Sequence, residues 1–284
     1  MSSLPAIDLA RAEATLEDAA ANARLDWLMQ SVAANRFLPE PPESLQFVGD
    51  GSFRLIGAEF LGHFVRYGRL MPGDHVLDLG CGVGRMAVPL TQYLDPERGA
   101  YDGVDVVQPG IAWCSARITP VYPRFRFHHL DLANSLYNPR GAVSVSDAGL
   151  PFDDASFDFV TATSVVTHLP PEDVVAYARE IARLLRPGGR CFLSLFLMND
   201  AARRNLASGA GRPSFPATGE GPDFYADPDV PLAAVAYEEA ALVKMFADAG
   251  LMPAAPPAYG HWSGRAAGIS FQDLCLFTRN GKAA

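Results

Sequence analysis

The sequence predicts an α/β fold: a single doubly wound, seven-stranded, mostly parallel sheet closed by a C-terminal antiparallel hairpin, with an N-terminal helical extension and a lid insertion. Three observations carry this. Val76, Leu77 and Leu79 form an apolar strand that runs straight into glycines at alternate positions, Gly80, Gly82 and Gly84. Strands then alternate with helical patterns through the middle of the chain, which calls for parallel strands and right-handed crossovers. The last two strands have no helix between them, and only a hairpin joins strands that way.

Taken in order, residues 6–38 read as an alanine-rich helix stopped by Pro39, Pro41 and Pro42, so 1–45 form the extension and 46–284 the main domain. In the next helix Phe53, Ile56, Phe60, Leu61 and Phe64 share one face. Pro72-Gly73 leads into the first strand, and a helix is expected over Met86–Leu94 after the glycines. Tyr101–Val106 reads as the second strand, Gly110–Ile118 as a helix, Phe125–His129 as the third strand and Phe157–Ser164 as the fourth. The helix from Pro171 carries Val174, Ala178, Ile181 and Leu185 on one stripe and ends at Pro187-Gly188-Gly189, before a fifth strand over Arg190–Phe196. The connection Met198–Ala236 is about 39 residues, the length of a lid, and its Pro, Gly and Ser content fits mobility. A helix over Tyr237–Ala249 then precedes strands near Met252–Ala258 and Ser270–Thr278.

Glycines at alternate positions let the backbone turn tightly and approach a ligand closely. Dinucleotide and mononucleotide folds use such turns too, so the spelling has to discriminate. Counted from Gly80, the third glycine of a dinucleotide fingerprint falls on Arg85, and no lysine followed by Ser or Thr completes a P-loop. In an open parallel sheet, ligands bind beyond the carboxyl ends of the strands. Asp105 ends the second strand, where a carboxylate either accepts ribose hydroxyls or caps the next helix.

The run from Asp78 through Gly84 resembles motif I of the class I S-adenosylmethionine-dependent methyltransferases, of the bacterial small-molecule type. The stretches Asp154–Val160, Thr167-His168-Leu169 and Arg183–Arg190 resemble that family's later signatures. The resemblance covers roughly Arg54 to Arg279. It implies S-adenosylmethionine as cofactor, with Asp78, Gly80, Cys81, Gly82 and Gly84 around its methionine end and Asp105 and Val106 at its ribose. Asp131-Leu132 then lies at the adenine, with Asp147 the competing acid, and Ser164 follows the fourth strand. The chain has Thr163-Ser164-Val165-Val166 where nucleobase and glutamine methyltransferases carry Asn or Asp before Pro-Pro and an aromatic.

Methyl transfer from a sulfonium requires an aligned nucleophile and little water, and an oxygen nucleophile must also lose a proton. His168, with an ordinary pKa near 6.5, is the candidate base; its alternative role is to bond backbone beside the cofactor. Tyr225 in the insertion and His261, Trp262 and Arg265 in the last hairpin loop are the expected acceptor contacts at the mouth. The expected reaction is methylation of a small molecule or sugar at oxygen. N- or C-methylation, a non-catalytic cofactor binder and a dinucleotide oxidoreductase are the competing readings.

At 284 residues and 49% hydrophobic, the chain suits one domain with additions. A net charge of −9 argues against a nucleic-acid partner. Cys81, Cys114, Cys191 and Cys275 are scattered with no C-x-x-C pair, which reads as buried thiols rather than a metal or disulfide framework. No signal-peptide pattern and no run of 18 apolar residues occurs, so a cytoplasmic protein without a membrane partner is expected. The N-terminal helix either covers the site or forms a homodimer contact.

Overall fold

The computed structural model describes residues 9–46, 51–133, 136–141, 143, 149–218 and 221–280. Helices α1 (Leu9–Ala34) and α2 (Phe53–Arg66) precede β1 (His75–Leu79), α3 (Ala87–Leu90), β2 (Ala100–Asp105), α4 (Gln108–Arg117) and β3 (Phe125–His129). Then come β4 (Phe157–Thr163), α5 (Pro171–Leu184), β5 (Leu185–Met198), α6 (Asp200–Ala207), β6 (Ala217–Thr218), β7 (Asp223–Tyr225) and β8 (Val235–Glu238). The described chain closes with α7 (Glu239–Asp248), β9 (Leu251–Pro253) and β10 (Asp273–Arg279).

The seven expected strands lie in the order β3-β2-β1-β4-β5-β10-β9, parallel except for β10, which is antiparallel to both β5 and β9. The order reverses between β2-β1 and β1-β4, and that switch opens a crevice above the end of β1. Both faces of the sheet are buried, because successive side chains point to opposite sides. Leu77, Leu79, Val160 and Leu193 pack under α5 and α7. Val76, Tyr101, Phe159 and Phe192 pack under α1, α2, α3 and α4. Phe64 of α2 meets Phe159 and Phe192 edge-on, at ring separations of 5.8 and 5.0 Å, and burying such a side chain contributes about 1.5–3 kcal/mol.

Three expectations need correction. The sheet has ten strands among the described residues, because the Met198–Ala236 connection folds onto it. β8 pairs in parallel with Phe196–Met198, the end of β5 that outruns β4, and β7 and β6 add to β8 in turn. Tyr237 therefore belongs to a strand rather than a helix. Its buried hydroxyl donates to Leu169 O at 2.6 Å, in the turn after β4. Finally, the helix after the glycines is regular only over Ala87–Leu90, and Pro89, lacking an N–H, makes no bond back to Arg85 O that would start it earlier. In the N-terminal extension, Leu25 and Val32 of α1 are buried in the same core as α2.

Candidate cofactor and active site

A cavity of about 380 Å³ opens at the switch point, within the range of small-molecule sites. Its floor is the glycine loop. Gly80 N and Cys81 N both donate to Val104 O, at 2.9 and 3.0 Å, which ties the loop to the end of β2. Gly80 has φ +71°, and a Cβ there would lie 2.5 Å from Val165 Cγ2, so only glycine lets the two segments meet. Gly82 has φ +55° and no atom within 4 Å of where its Cβ would stand, which leaves open space over the loop at that position. Cys81 lines the cavity, its sulfur lies against Gly103 of β2, and burial pushes the thiol pKa well up. Gly84 lies outside: a Cβ there would be 3.0 Å from Cys114 Sγ and from Ile118 Cδ1, so it seats the loop on α4.

Asp105 lines the cavity and is 9% exposed. One carboxylate oxygen accepts from Gly82 N at 2.7 Å and the other from Val107 N at 2.8 Å. It thus ties the glycine loop to the turn that leads into α4, and each oxygen keeps a further lone pair. Burial raises its pKa, against the pull of the backbone N–H groups of Val107, Gly82 and Val106. Asp78, by contrast, is not in the cavity wall. It is 1% exposed behind the loop, accepts the Tyr101 hydroxyl at 2.5 Å, and leaves Oδ1 without a partner. Burial pushes its carboxyl up to about 7, opposed by the Tyr101 bond and reinforced by the charge of Asp105.

Beyond β2 and β3 the wall is apolar, with Val106, Leu130, Leu132 and Ala133 around one end of the cavity. Asp131 does not reach it: the residue is exposed, and Oδ1 accepts from Asn138 Nδ2 at 3.1 Å. Asn138 also donates to Leu132 O at 3.0 Å, and this pair fixes the turn that presents Leu132 inward. Asp147 lies outside the described residues. Tyr137, which the sequence did not single out, completes this end.

The turn after β4 forms the opposite rim. Ser164 has φ +59°, uncommon for a residue with a side chain, and lines the cavity together with Val165 and His168. His168 Nδ1 lies 3.0 Å from Leu232 O, so Nδ1 carries the proton and Nε2 keeps the lone pair. Burial lowers the His168 pKa, with the Leu232 carbonyl pulling the other way, and Tyr137 meets the ring edge-on at 5.5 Å. The neutral base is therefore favoured at neutral pH.

The four expected acceptor contacts do not line the cavity. Trp262 is 1% exposed, packs against Phe196 and Phe215, and donates its indole N–H to Asp273 Oδ2 at 2.7 Å. Arg265 stacks over Tyr259 at 4.2 Å and donates to Asn199 Oδ1 at 3.0 Å. Tyr225 sits in β7 and donates to Asp223, and the exposed His261 meets Phe271 edge-on. In their place the wall takes Ile56, Glu59 and Phe60 from α2 and Ser270, Phe271 and Gln272 from the hairpin. Gly57 shows why α2 can roof the site: a Cβ there would stand 2.7 Å from Arg85 O. No described residue of α1 lines the cavity. The apolar face of α2, with residues three and four apart, was legible, but Ile56 and Phe60 lie on the stripe that also faces the core, so periodicity alone did not separate roof from core.

Residues 77–193 match the family model described as a methyltransferase domain. The chain is 33% identical to 27-O-demethylrifamycin SV methyltransferase of Amycolatopsis mediterranei over 45% of its own length and 41% of that protein. It is 32% identical to arsenite methyltransferase of Aquipseudomonas alcaligenes over 44% of its length and 33% of that protein. It therefore spans well under two thirds of either relative. The fold is similar to that of a SAM-dependent methyltransferase from Methanosarcina mazei, with TM-score 0.51 and 21% identity over 77% of this chain and 98% of that one. Residues 77–193 thus match a methyltransferase domain, on a fold similar to that of a SAM-dependent methyltransferase.

Proposed function

We propose that the protein transfers a methyl group from S-adenosylmethionine to a hydroxyl of a small molecule or sugar, with His168 as the general base. The observation that carries the oxygen reading is the committed tautomer of His168, whose Nδ1–H is held by Leu232 O while Nε2 stays basic in the cavity wall. The cavity suits the cofactor by three of its features: open space above Gly82, an acid at Asp105, and an apolar end around Leu132. On this reading Gly80, Cys81, Gly82, Asp105, Val106, Leu132 and Ser164 hold it, while Asp78 supports the loop from behind and Asp131 takes no part.

When bound, the cofactor supplies an activated methyl on sulfonium with thioether as leaving group. The residues here do the rest. Asp105 fixes Gly82 N and with it the loop; α2 closes over Arg85 and excludes water; His168 Nε2 takes the acceptor's hydroxyl proton as the new O–C bond forms, and later releases it to solvent. The name of the rifamycin relative refers to an oxygen position, which supports the same choice.

The test is to incubate the full chain with S-adenosylmethionine and a panel of phenols, hydroxy acids, sugars and matched amines, and to measure S-adenosylhomocysteine release. Turnover on hydroxylated members is expected. Turnover confined to amines would overturn oxygen as the acceptor atom.

A further inference from the structure

Ser164 is pinned from both sides by a closed ring of hydrogen bonds. Ser164 N donates to Ser194 Oγ at 3.0 Å, Ser194 Oγ donates to Gln272 Oε1 at 2.7 Å, and Gln272 Nε2 donates to Ser164 Oγ at 2.9 Å. Each member donates once to the next, so the directions are mutually consistent. The ring continues into the turn: Ser164 Oγ lies 3.1 Å from Thr167 Oγ1, which in turn donates to Ser164 O at 2.9 Å. Ser194 and Thr167 are 0% and 1% exposed, so water does not readily replace these bonds.

The backbone explains why such a ring is needed. Ser164 holds φ +59°, a conformation that glycine adopts freely and serine only under constraint. That conformation turns the chain at the end of β4, brings Val165 against Gly80 and starts the short turn carrying His168. Gln272 comes from the residue just before β10, so the C-terminal hairpin reaches across β5 to hold the exit of β4.

We propose that Gln272 is a positioning residue: through Ser164 it holds the left-handed turn on which both the glycine-loop contact and the aim of His168 depend. This rests on the reading of the cavity as the cofactor site. The part of the cofactor affected is its aminoacyl end, which the glycine loop wraps in the family that the sequence resembles.

Calorimetry on the full chain tests this with S-adenosylhomocysteine and with 5′-methylthioadenosine, which lacks the aminoacyl end. Gln272→Leu should weaken S-adenosylhomocysteine about tenfold, the scale of one hydrogen bond, and leave methylthioadenosine within about twofold. In a Ser164→Gly background the same Gln272→Leu change should cost no more than about twofold, because glycine holds a positive φ unaided. A tenfold loss persisting in that background would show that Gln272 acts on the ligand directly, and would overturn the proposal. So would an unchanged affinity in the single variant. If Gln272→Leu fails to fold, Gln272→Asn, one methylene short, takes its place in both backgrounds. Failure of the wild-type chain to bind S-adenosylhomocysteine at all would instead overturn the underlying reading, and the inference with it.

Discussion

Asp78 should make the protein less stable as pH rises from 5.5 to 7, and Asp78→Asn should remove that loss. The carboxyl is fully buried behind the glycine loop, and burial raises its pKa from the usual carboxylate range to about 7. A raised folded-state pKa means the protonated acid is favoured in the fold. The stability it confers is complete below the unfolded value near 3.8 and is lost as pH rises through the folded value. Over this window the unfolded chain has already released the proton while the folded chain still holds it, so stability falls by about 1.4 kcal/mol per pH unit. From pH 5.5 to 7, with the slope halving as the folded carboxyl becomes half ionised near pH 7, that amounts to about 1.5 kcal/mol, or roughly 3–6 °C in Tm for a domain of this size. The variant's absolute stability is a separate matter. The new amide still accepts from Tyr101, but it places N–H donors where Oδ1 has no partner, at a cost of about 1–3 kcal/mol. The informative quantity is therefore the difference in pH slope between the two proteins, in which other titrating groups such as His168 cancel. Thermal unfolding followed by circular dichroism at half-unit pH steps supplies it. Equal slopes would refute the argument and place Asp78 in the ionised form.

Asp105→Ala should weaken S-adenosylhomocysteine binding by about 1–3 kcal/mol, roughly 5- to 150-fold in Kd, because it removes the expected ribose acceptor and also frees Gly82 N; an unchanged Kd by calorimetry would remove Asp105 from the site. Gly82→Val should abolish that binding in a protein that still shows a cooperative melt, since the branched side chain would stand in the open space above the loop in a backbone conformation it disfavours; retained binding would show that the ligand does not approach there. His168→Ala should lower kcat about 100-fold or more with little change in cofactor Kd. The wild-type rate should fall with acid through an inflection below the ordinary histidine value, because burial lowers the His168 pKa, and the variant should lack that limb. Near-wild-type turnover by the variant would remove His168 as base.

What was legible in the sequence is what local backbone chemistry decides. Gly80 and Gly82 stand where φ is positive, and Asp105 stands where a parallel strand ends at the switch point; both facts follow from short-range pattern and sheet geometry. His168 was reachable for the same reason, as the turn after β4. Trp262 and Arg265 were not, because their fate is set by partners far along the chain: Asp273 draws the indole inward, and Asn199 with Tyr259 holds the guanidinium. Asp131 illustrates a finer limit. Its neighbour Leu132 does face the cavity, but a single turn residue, Asn138, decides which of the adjacent side chains points in. The insertion looked mobile from its Pro, Gly and Ser content, yet its last residues Val235 and Ala236 are fully buried as β8 pairs with the end of β5, and Leu232 O orients His168.

The most direct test of the account is isothermal titration calorimetry of the full chain with S-adenosylhomocysteine and, separately, with NAD. The geometry of Gly80–Gly82, Asp105 and the apolar end around Leu132 predicts saturable one-to-one binding of S-adenosylhomocysteine and no measurable heat with NAD. Binding of NAD without any response to S-adenosylhomocysteine would contradict the account at its centre.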